Sequence, residues 1–304
     1  MKHLILILLT FACSDYKLSG FSDGTAGLPS ISDTAIEKVD TGKIEVEEDT
    51  SADVPDIPPE YSTPVAVCDV SPNPVSPPFE AATWIGLGSY DDLETITNYN
   101  WQLISQPVGS SMTMPFGYAN RGPFTPVLAG EYTARLIVTN ESGITSDPCE
   151  VTLEATPSES LWVELFWSEY QDDMDLHLLS NPSGLETRED CYYSNCTESA
   201  QIFLPMDWGI SGFEEDNPIL DLDDIPGTGP ENINIQSPQP GAMYTVVVHD
   251  YTGSTIDFYG ENEVTVNIYL DGVLSWTETR TISGDGSYNY FAQIDWSSGI
   301  ITSL

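Results

Sequence analysis

The stretch from Leu161 to Leu178, LWVELFWSEYQDDMDLHL, sets the fold of the second half of the chain. In an extended strand, successive side chains point to opposite faces. If residues 161–167 form a strand, one face is entirely apolar and carries Leu161, Val163, Leu165 and Trp167. The other face carries Trp162, Glu164 and Phe166. In the next segment Asp173, Asp175 and His177 alternate with Met174, Leu176 and Leu178. The pattern predicts two strands whose apolar faces line a core, with the Asp and His side chains at a rim or a loop.

Four more alternating segments follow, and they extend the same sheet pattern to the end of the chain. They are Met243–Asp250, Glu263–Leu270, Val273–Ile282 and Tyr288–Trp296. Asp271-Gly272 between two of them is typical of a tight hairpin turn. We therefore expect an antiparallel β-sandwich over residues 158–304.

The segment Asp216–Glu231, DNPILDLDDIPGTGPE, carries five carboxylates and no Lys or Arg. Its Gly and Pro residues forbid a helix, so the segment is predicted to be a loop. So many carboxylates close together repel one another unless a cation lies among them. Closely spaced oxygen ligands in a loop bent by glycine suit Ca²⁺. The alternative is a solvated acidic loop without an ion.

Because Asp173 and Asp175 belong to the same domain as this segment, a shared cation site is expected. The candidate ligands are Asp173, Asp175, Asp216, Asp221, Asp223, Asp224 and Glu231. His177 and His249 also fall on strands of this domain. An Asp/His site for zinc or iron is a further possibility, and ordinary strand histidines are its alternative.

Short strand-like runs separated by Pro, Gly, Asn and Asp also fill residues 61–157. This spacing predicts a first β-sandwich. Cys68 is expected in its first strand and Cys149 in its last, and a disulfide between them would join the two ends of the domain.

Five motifs in this first domain resemble the PKD and related immunoglobulin-like domains of bacterial surface proteins. They are Gly88–Asp92, Tyr99–Trp101, Pro123–Pro126, Gly130–Tyr132 and Leu136–Thr139. The signature Trp-Asp-Phe-Gly-Asp-Gly is replaced by Trp101-Gln102-Leu103. The resemblance implies a spacer or interaction module without catalysis, with Trp101 in the core.

Residues 160–300 resemble the YfaP or DUF2135 type of β-sandwich domain of bacterial envelope proteins. The motifs, in chain order, are Phe166-Trp167, Asp173–His177, Asp190–Cys196, Asp207–Gly209 and Asp216–Glu231. The resemblance implies a second sandwich and no catalytic residues. Within it, Cys191 and Cys196 are predicted to form a local disulfide, and metal binding by the two thiolates is the alternative.

The N-terminus has the layout of an export signal: Met1-Lys2-His3, then the apolar run LILILLTFA. Thr10–Cys13 resembles a bacterial lipobox, which implies a signal peptide over residues 1–12 and lipidation of Cys13. Ser14 after the Cys implies the outer membrane. A plain secretion signal is the alternative. Residues 13–60, rich in Ser, Thr, Gly, Asp and Glu, are predicted to be a disordered acidic tether.

The composition restricts the partners. The chain has 304 residues, with 48 acidic against 8 basic residues and a formal charge of −40. This charge repels nucleic acid and anionic membrane surfaces, so a membrane contact is expected through the lipid anchor alone. It favours uptake of divalent cations. The predicted fold class is all-β, with two sandwiches after the tether.

Three functions are compatible with these patterns. The leading hypothesis is a non-enzymatic lipoprotein of the cell envelope, which presents a Ca²⁺-stabilised sandwich for adhesion or for binding an envelope or extracellular protein or glycan. The second is a metal-assisted hydrolase that uses Asp175, His177, Asp221, Asp223 and His249, with Glu231 as base. The third is a carbohydrate-binding module with Trp208, Tyr192 and Tyr193 as platforms.

Overall fold

The structure is a computed structural model, and it describes residues 60–225, 227–252, 260–283 and 286–304. These residues fall within one compact unit and form two antiparallel β-sandwiches, so the predicted fold class is confirmed. Within the described ranges, no helix is long and apolar enough to cross a membrane. The predicted signal peptide, Cys13 and the tether to residue 59 lie outside the described residues.

The first sandwich pairs two three-stranded sheets. One has the order β1-β2-β4 and the other β3-β5-β6. The strands are β1 (Asp69–Ser71), β2 (Ala82–Ile85), β3 (Ile96–Ser105), β4 (Asn120–Phe124), β5 (Gly130–Asn140) and β6 (Cys149–Ala155). Trp84, Trp101, Phe124 and Tyr132 fill the space between the sheets. As predicted, Trp101 is a core residue, and its indole N–H donates to the Ala119 carbonyl.

Two details of this sandwich differ from the prediction. The run 64–68 is not a strand, since only Val65 makes an isolated bridge to Tyr90 and the first strand begins after Cys68. The strand β4 was not predicted, because Gly122 and Pro123 within it are typical of turns. The Cys68–Cys149 disulfide is present, with 5.9 Å between the α-carbons.

The second sandwich pairs two five-stranded sheets, with the orders β10-β11-β7-β13-β14 and β16-β15-β12-β8-β9. The first sheet contains β7 (Leu161–Trp167), β10 (Ile219–Leu222), β11 (Glu231–Ile235), β13 (Asn262–Leu270) and β14 (Val273–Ile282). The second contains β8 (Met174–Ser180), β9 (Asp190–Cys191), β12 (Met243–Asp250), β15 (Tyr288–Asp295) and β16 (Ile300–Ser303). A short helix, α1 (Glu198–Gln201), and a 3₁₀ turn at Glu214–Asp216 precede β10.

The alternation in β7 and β8 directs one apolar set of each strand into the core, as predicted. Leu161, Val163, Leu165 and Trp167 pack in one buried cluster with Met174, Leu176 and Leu178. The opposite face of β7 contacts the first sandwich: Trp162 packs with Ala129 and Tyr269, and the Glu164 carboxylate accepts the Ala129 N–H at 2.7 Å. Glu164 is therefore a buried carboxylate between the two sandwiches.

The hairpin predicted at Asp271-Gly272 joins β13 to β14, and both residues have positive φ, 49° and 77°. Positive φ at both central residues is what a type I′ turn, one of the two favoured two-residue hairpin turns, requires.

The prediction of a loop over the whole of Asp216–Glu231 is wrong. Asp216 ends the 3₁₀ turn, Ile219–Leu222 form β10, and Glu231 begins β11. Leu220 is buried and its strand pairs with β11, so this pairing and the burial of Leu220 outweigh the loop-forming residues on either side. The remaining connection, residues 223–230, contains both Gly residues of the segment together with Pro226 and Pro230. The Cys191–Cys196 disulfide is confirmed, with 5.0 Å between the α-carbons.

Candidate metal site

Strand pairing brings two acidic connections to one end of the second sandwich. β11 runs antiparallel to β7 with Glu231 opposite Leu165, so the connection before β11 meets the connection after β7. The Trp167 N–H donates to the Thr228 carbonyl at 3.1 Å across this junction. Residues 168–173 and 223–230 therefore lie side by side, although some fifty residues separate them in the sequence.

Three carboxylates converge at this end: Asp175 on β8, Asp223 after β10 and Glu231 at the start of β11. Each offers one oxygen, and these oxygens all lie within 4.8 Å of one another. Oxygens bound to one Ca²⁺ at about 2.3–2.6 Å are at most about 5 Å apart, so the three can share one ion. Asp175 and Glu231 are buried, whereas Asp223 is exposed.

Glu231 reaches from one sheet to the other. It shares the inward face of β11 with Ile233 and Ile235, which lie in the core. Its Oε2 accepts the Leu176 N–H of β8 at 2.7 Å, and Oε1 receives no N–H or hydroxyl donor from the described residues. Burial raises the pKa of Glu231 well above its usual range, and the negative charge of Asp175 raises it further.

Asp173 is a buried carboxylate that receives no hydrogen-bond donor from the described residues. Its side chain is 1% exposed, and neither oxygen accepts a hydrogen bond from the part of the chain that the structure describes. Burial, reinforced by the charges of Asp175 and Asp223, raises the pKa of Asp173 to about 7. A carboxylate in this position costs several kcal/mol unless a proton or a cation neutralises it.

Asp224 shapes the connection that carries Asp223. Its Oδ2 accepts the Gly229 N–H at 2.8 Å, and Gly227 leaves room for this carboxylate, since a β-carbon there would collide with Asp224. Burial raises the pKa of both Asp223 and Asp224. The candidate ligands are thus all oxygen atoms of negatively charged groups, and some of these buried oxygens receive no hydrogen bond from the described residues. This chemistry fits a hard divalent cation.

A cluster of histidines and tyrosines adjoins the carboxylates on the outer face of β8, β12 and β15. The His249 Nδ1 lies 3.4 Å from Asp175 Oδ2, and the His177 Nδ1 lies 2.8 Å from Asp190 Oδ2. Tyr192 stacks on His177 with ring centroids 4.9 Å apart, and Tyr288 stacks on His249 at 4.1 Å.

Asp190 and Tyr288 had no part in the sequence-based site. Asp190 forms β9 beside β8, and Tyr288 pairs with His249 in the register of β15 on β12. The strand pattern at 288–296 was visible in the sequence, but its register against β12 was not.

Asp175 meets a loop, as predicted, because its carboxylate lies within 4.8 Å of Asp223 in the 223–230 connection, but Asp173, Asp175 and His177 do not lie at an exposed rim. All three are at most 2% exposed. For His177 the cover is Tyr192 and Tyr288, which close over the outer face of β8. These half-buried tyrosine rings, and not solvent, contact His177.

Asp216 and Asp221 lie apart from the three converging carboxylates and have partners of their own. Asp216 Oδ2 accepts the Ile210 N–H at 2.8 Å and the Gln239 amide at 2.7 Å. Asp221 accepts the amides of Asn232 and Asn234 on the outward face of β11. Burial raises its pKa to about 6, and its acidic neighbours there are Glu159 and Glu198.

Two sites predicted from the sequence, the hydrolase site and the sugar-binding site, are therefore wrong in part. The hydrolase group needs Asp221 beside the histidines, and Asp221 lies elsewhere. Trp208, proposed as an exposed sugar platform, is 6% exposed; it stacks on Tyr244 and donates its indole N–H to the Arg188 carbonyl. Tyr192 and Tyr193 are half-buried.

Comparisons with known proteins give two similar structures. One is the PKD1 domain of Vibrio anguillarum Epp: 20% identity, 32% of this chain and 99% of that chain covered, TM-score 0.23. The other is a promiscuous carbohydrate-binding module of the β-sandwich superfamily: 12% identity, 77% of this chain and 85% of that chain covered, TM-score 0.27. No family model matches the chain, and no curated protein matches it significantly. Likenesses this low carry no information on function.

Proposed function

We propose that the second sandwich is a Ca²⁺-binding, non-catalytic module that serves adhesion or partner recognition in the cell envelope. The observation that carries the proposal is the convergence of Asp175, Asp223 and Glu231 within 4.8 Å, beside the buried Asp173 that receives no donor from the described residues. An ion among these groups would neutralise charges that are otherwise costly to bury.

Calcium fits this donor set better than zinc or magnesium. Zn²⁺ prefers Cys and His ligands, and the converging group contains neither. The imidazole of His249 is directed at Asp175, so it supports a ligand and does not join the group. Mg²⁺ demands a strict octahedron, whereas Ca²⁺ accepts six to eight oxygens in variable geometry, which suits ligands drawn from two strands and a connection.

The ion would act as a clamp between the two sheets. Asp175 belongs to the sheet of β8, and Glu231 to the sheet of β11. Binding both carboxylates and Asp223 would fix the 223–230 connection against the end of the sandwich. In this proposal the ion maintains the surface that a partner contacts, and it takes no part in chemistry.

The cellular setting is a separate part of the proposal. The two disulfides are typical of an extracellular or periplasmic protein. We propose that Cys13 is lipidated at the outer membrane, that the acidic tether extends the sandwiches away from it, and that the second sandwich is of the YfaP or DUF2135 type. Metabolic labelling with a fatty-acid analogue, abolished in Cys13→Ser, tests the anchor.

Thermal unfolding of the full chain tests the ion site, with millimolar Ca²⁺ or with chelator. Free ion at a hundredfold excess over its Kd should stabilise the protein by about 2.7 kcal/mol. Asp223→Asn removes an exposed carboxylate of the converging group and should abolish most of the Ca²⁺-induced shift. Asp221→Asn is the matched control, because it lies two residues away and keeps its Asn232 and Asn234 contacts.

Two results would overturn the proposal. One is the same melting temperature with Ca²⁺ and with chelator. The other is equal loss of the Ca²⁺-induced shift in Asp221→Asn and Asp223→Asn, because general acidity and not a defined site would then explain the binding.

A further inference from the structure

The ion site has a buried floor and an open side. Asp173, Asp175 and Glu231 are at most 2% exposed, whereas Asp223 faces solvent. A Ca²⁺ ion held between them would keep coordination positions on the side of Asp223, because three convergent carboxylates supply only part of the six to eight oxygens that it takes. Those positions are accessible to oxygens of a bound molecule.

Charge decides which oxygens can occupy them. The five carboxylates of Asp173, Asp175, Asp223, Asp224 and Glu231 together exceed the charge of one divalent ion. The segments that build this end, residues 161–187 and 216–252, contain no Lys or Arg. An anionic ligand would meet a net negative site in a chain of charge −40, without a Lys or Arg side chain from these segments to pair with it. Uncharged oxygen donors meet no such repulsion.

The two connections that meet at this end each carry an exposed apolar side chain. Tyr170 lies in the connection that ends in Asp173, and it is 66% exposed. Ile225 follows Asp223 and Asp224 in the neighbouring connection and is 53% exposed. An exposed aromatic ring beside hydrogen-bonding groups is the arrangement that stacks on the C–H face of a sugar ring, whose hydroxyls point away from that face.

We propose that the Ca²⁺ ion binds a neutral glycan through two adjacent hydroxyl oxygens, while Tyr170 stacks on the sugar ring. The inference rests on the proposed function, since it requires the ion. Adjacent hydroxyls on one ring fill two coordination positions at the entropic cost of ordering a single molecule. The ion thus recognises the sugar, and the tyrosine adds affinity without adding charge.

The experiment is binding of the full chain to an array of neutral oligosaccharides, with polygalacturonate as an anionic probe, in Ca²⁺ and in chelator. The expected result is binding to at least one neutral glycan, lost in chelator, with no binding to polygalacturonate. Tyr170→Ala should weaken this binding about tenfold, the upper range for one aromatic contact, while the Ca²⁺-induced thermal shift is kept. Tyr61→Ala, at a tyrosine of 60% exposure in the first sandwich, is the matched control and should bind as the parent does.

Each failure has a distinct signature. A normal Ca²⁺-induced thermal shift without binding to any neutral glycan overturns the sugar inference and leaves the ion site intact. Absence of the thermal shift overturns both. Glycan binding that survives chelator, prefers polygalacturonate, or is unchanged in Tyr170→Ala also refutes the inference, because the ion or the tyrosine would then have no role.

Discussion

The buried carboxylate of Glu164 gives the protein a pH-dependent stability that can be calculated and removed. Glu164 is fully buried between the sandwiches, where Oε1 accepts the Ala129 N–H. Burial outweighs this hydrogen bond and raises the pKa of Glu164 from 4.5 to about 7. Its titratable neighbours Tyr269 and Tyr132 also have raised pKa values, so both stay neutral across this range.

The magnitude follows from linkage. Between pH 4.5 and 7 the folded protein holds the Glu164 proton while the unfolded chain has released it, so the free energy of unfolding falls as the pH rises through this window. The contribution is fully present below pH 4.5. At 1.36 kcal/mol for each pH unit, the loss is about 3 kcal/mol by pH 8.

Glu164→Gln removes the proton while keeping an acceptor for Ala129. Urea unfolding in chelator at pH 4 and at pH 8 should show the parent losing about 3 kcal/mol more than the variant. The difference between the two proteins cancels the titration of the acidic ion site. Glu131→Gln, at an exposed position of β5, should lose as much as the parent.

One result would refute this account: parent and Glu164→Gln losing the same free energy between pH 4 and pH 8. Glu164 would then be ionised in the folded protein at both pH values, or solvated when folded.

Three further predictions concern stability. Removing the Cys68–Cys149 disulfide by Ser substitution should lower the free energy of unfolding by about 4–5 kcal/mol, and removing Cys191–Cys196 by about 2 kcal/mol, because the first closes a far longer loop. Urea unfolding compares the two variants, and equal losses would contradict this entropic estimate. Gly229→Ala should lower the free energy of unfolding by about 1–3 kcal/mol, since φ is 79° and a β-carbon would lie 2.9 Å from the Leu165 carbonyl oxygen. Gly143→Ala is the control: its φ is also positive but no atom lies near the added β-carbon, so it shows the effect of backbone strain without a collision. Asn262→Ala should lower the free energy of unfolding by about 2–3 kcal/mol and weaken Ca²⁺ binding, because the Asn262 side-chain amide hydrogen-bonds to residues that precede Asp173. Calorimetry measures the Ca²⁺ affinity, and an unchanged affinity would contradict this role.

The sequence was sufficient for the parts of the fold that alternate strongly. The segment LWVELFW alternates in a way that predicts a strand, because one of its faces is entirely apolar and the other is mostly apolar. The position of Leu161 and Leu165 in the core follows from this alternation. Asp271-Gly272 has one favourable turn conformation, so its hairpin could be predicted. Both disulfides followed from cysteine positions in domains that were already delimited.

The same approach failed at β10 and β11, where Gly and Pro residues flank short strands. Ile219–Leu222 is four residues long, and its pairing with β11 is a non-local contact that propensity cannot reveal. The β-strand at Asn120–Phe124 could not be predicted because Gly122 and Pro123, which are typical of turns, lie within it.

The composition of the acidic segment indicated a cation, but only strand register selects among its carboxylates. Asp221 and Asp223 are two residues apart, yet Asp221 binds Asn232 and Asn234 while Asp223 meets Asp175 and Glu231. The bulge between Leu220 and Leu222 and the alternation of β11 produce this division. Glu231 faces inward because it shares a face with Ile233, a fact of sheet geometry and not of local sequence.

The sequence by itself therefore determined an all-β chain, its disulfides and its excess of carboxylates, because alternation, turn residues and charge are local properties. Only the tertiary structure decided which carboxylates are buried together, that Asp173 and His177 are buried, and that Glu164 lies between the sandwiches. These features depend on contacts between residues far apart in the chain, and burial of a charge is set by what packs over it.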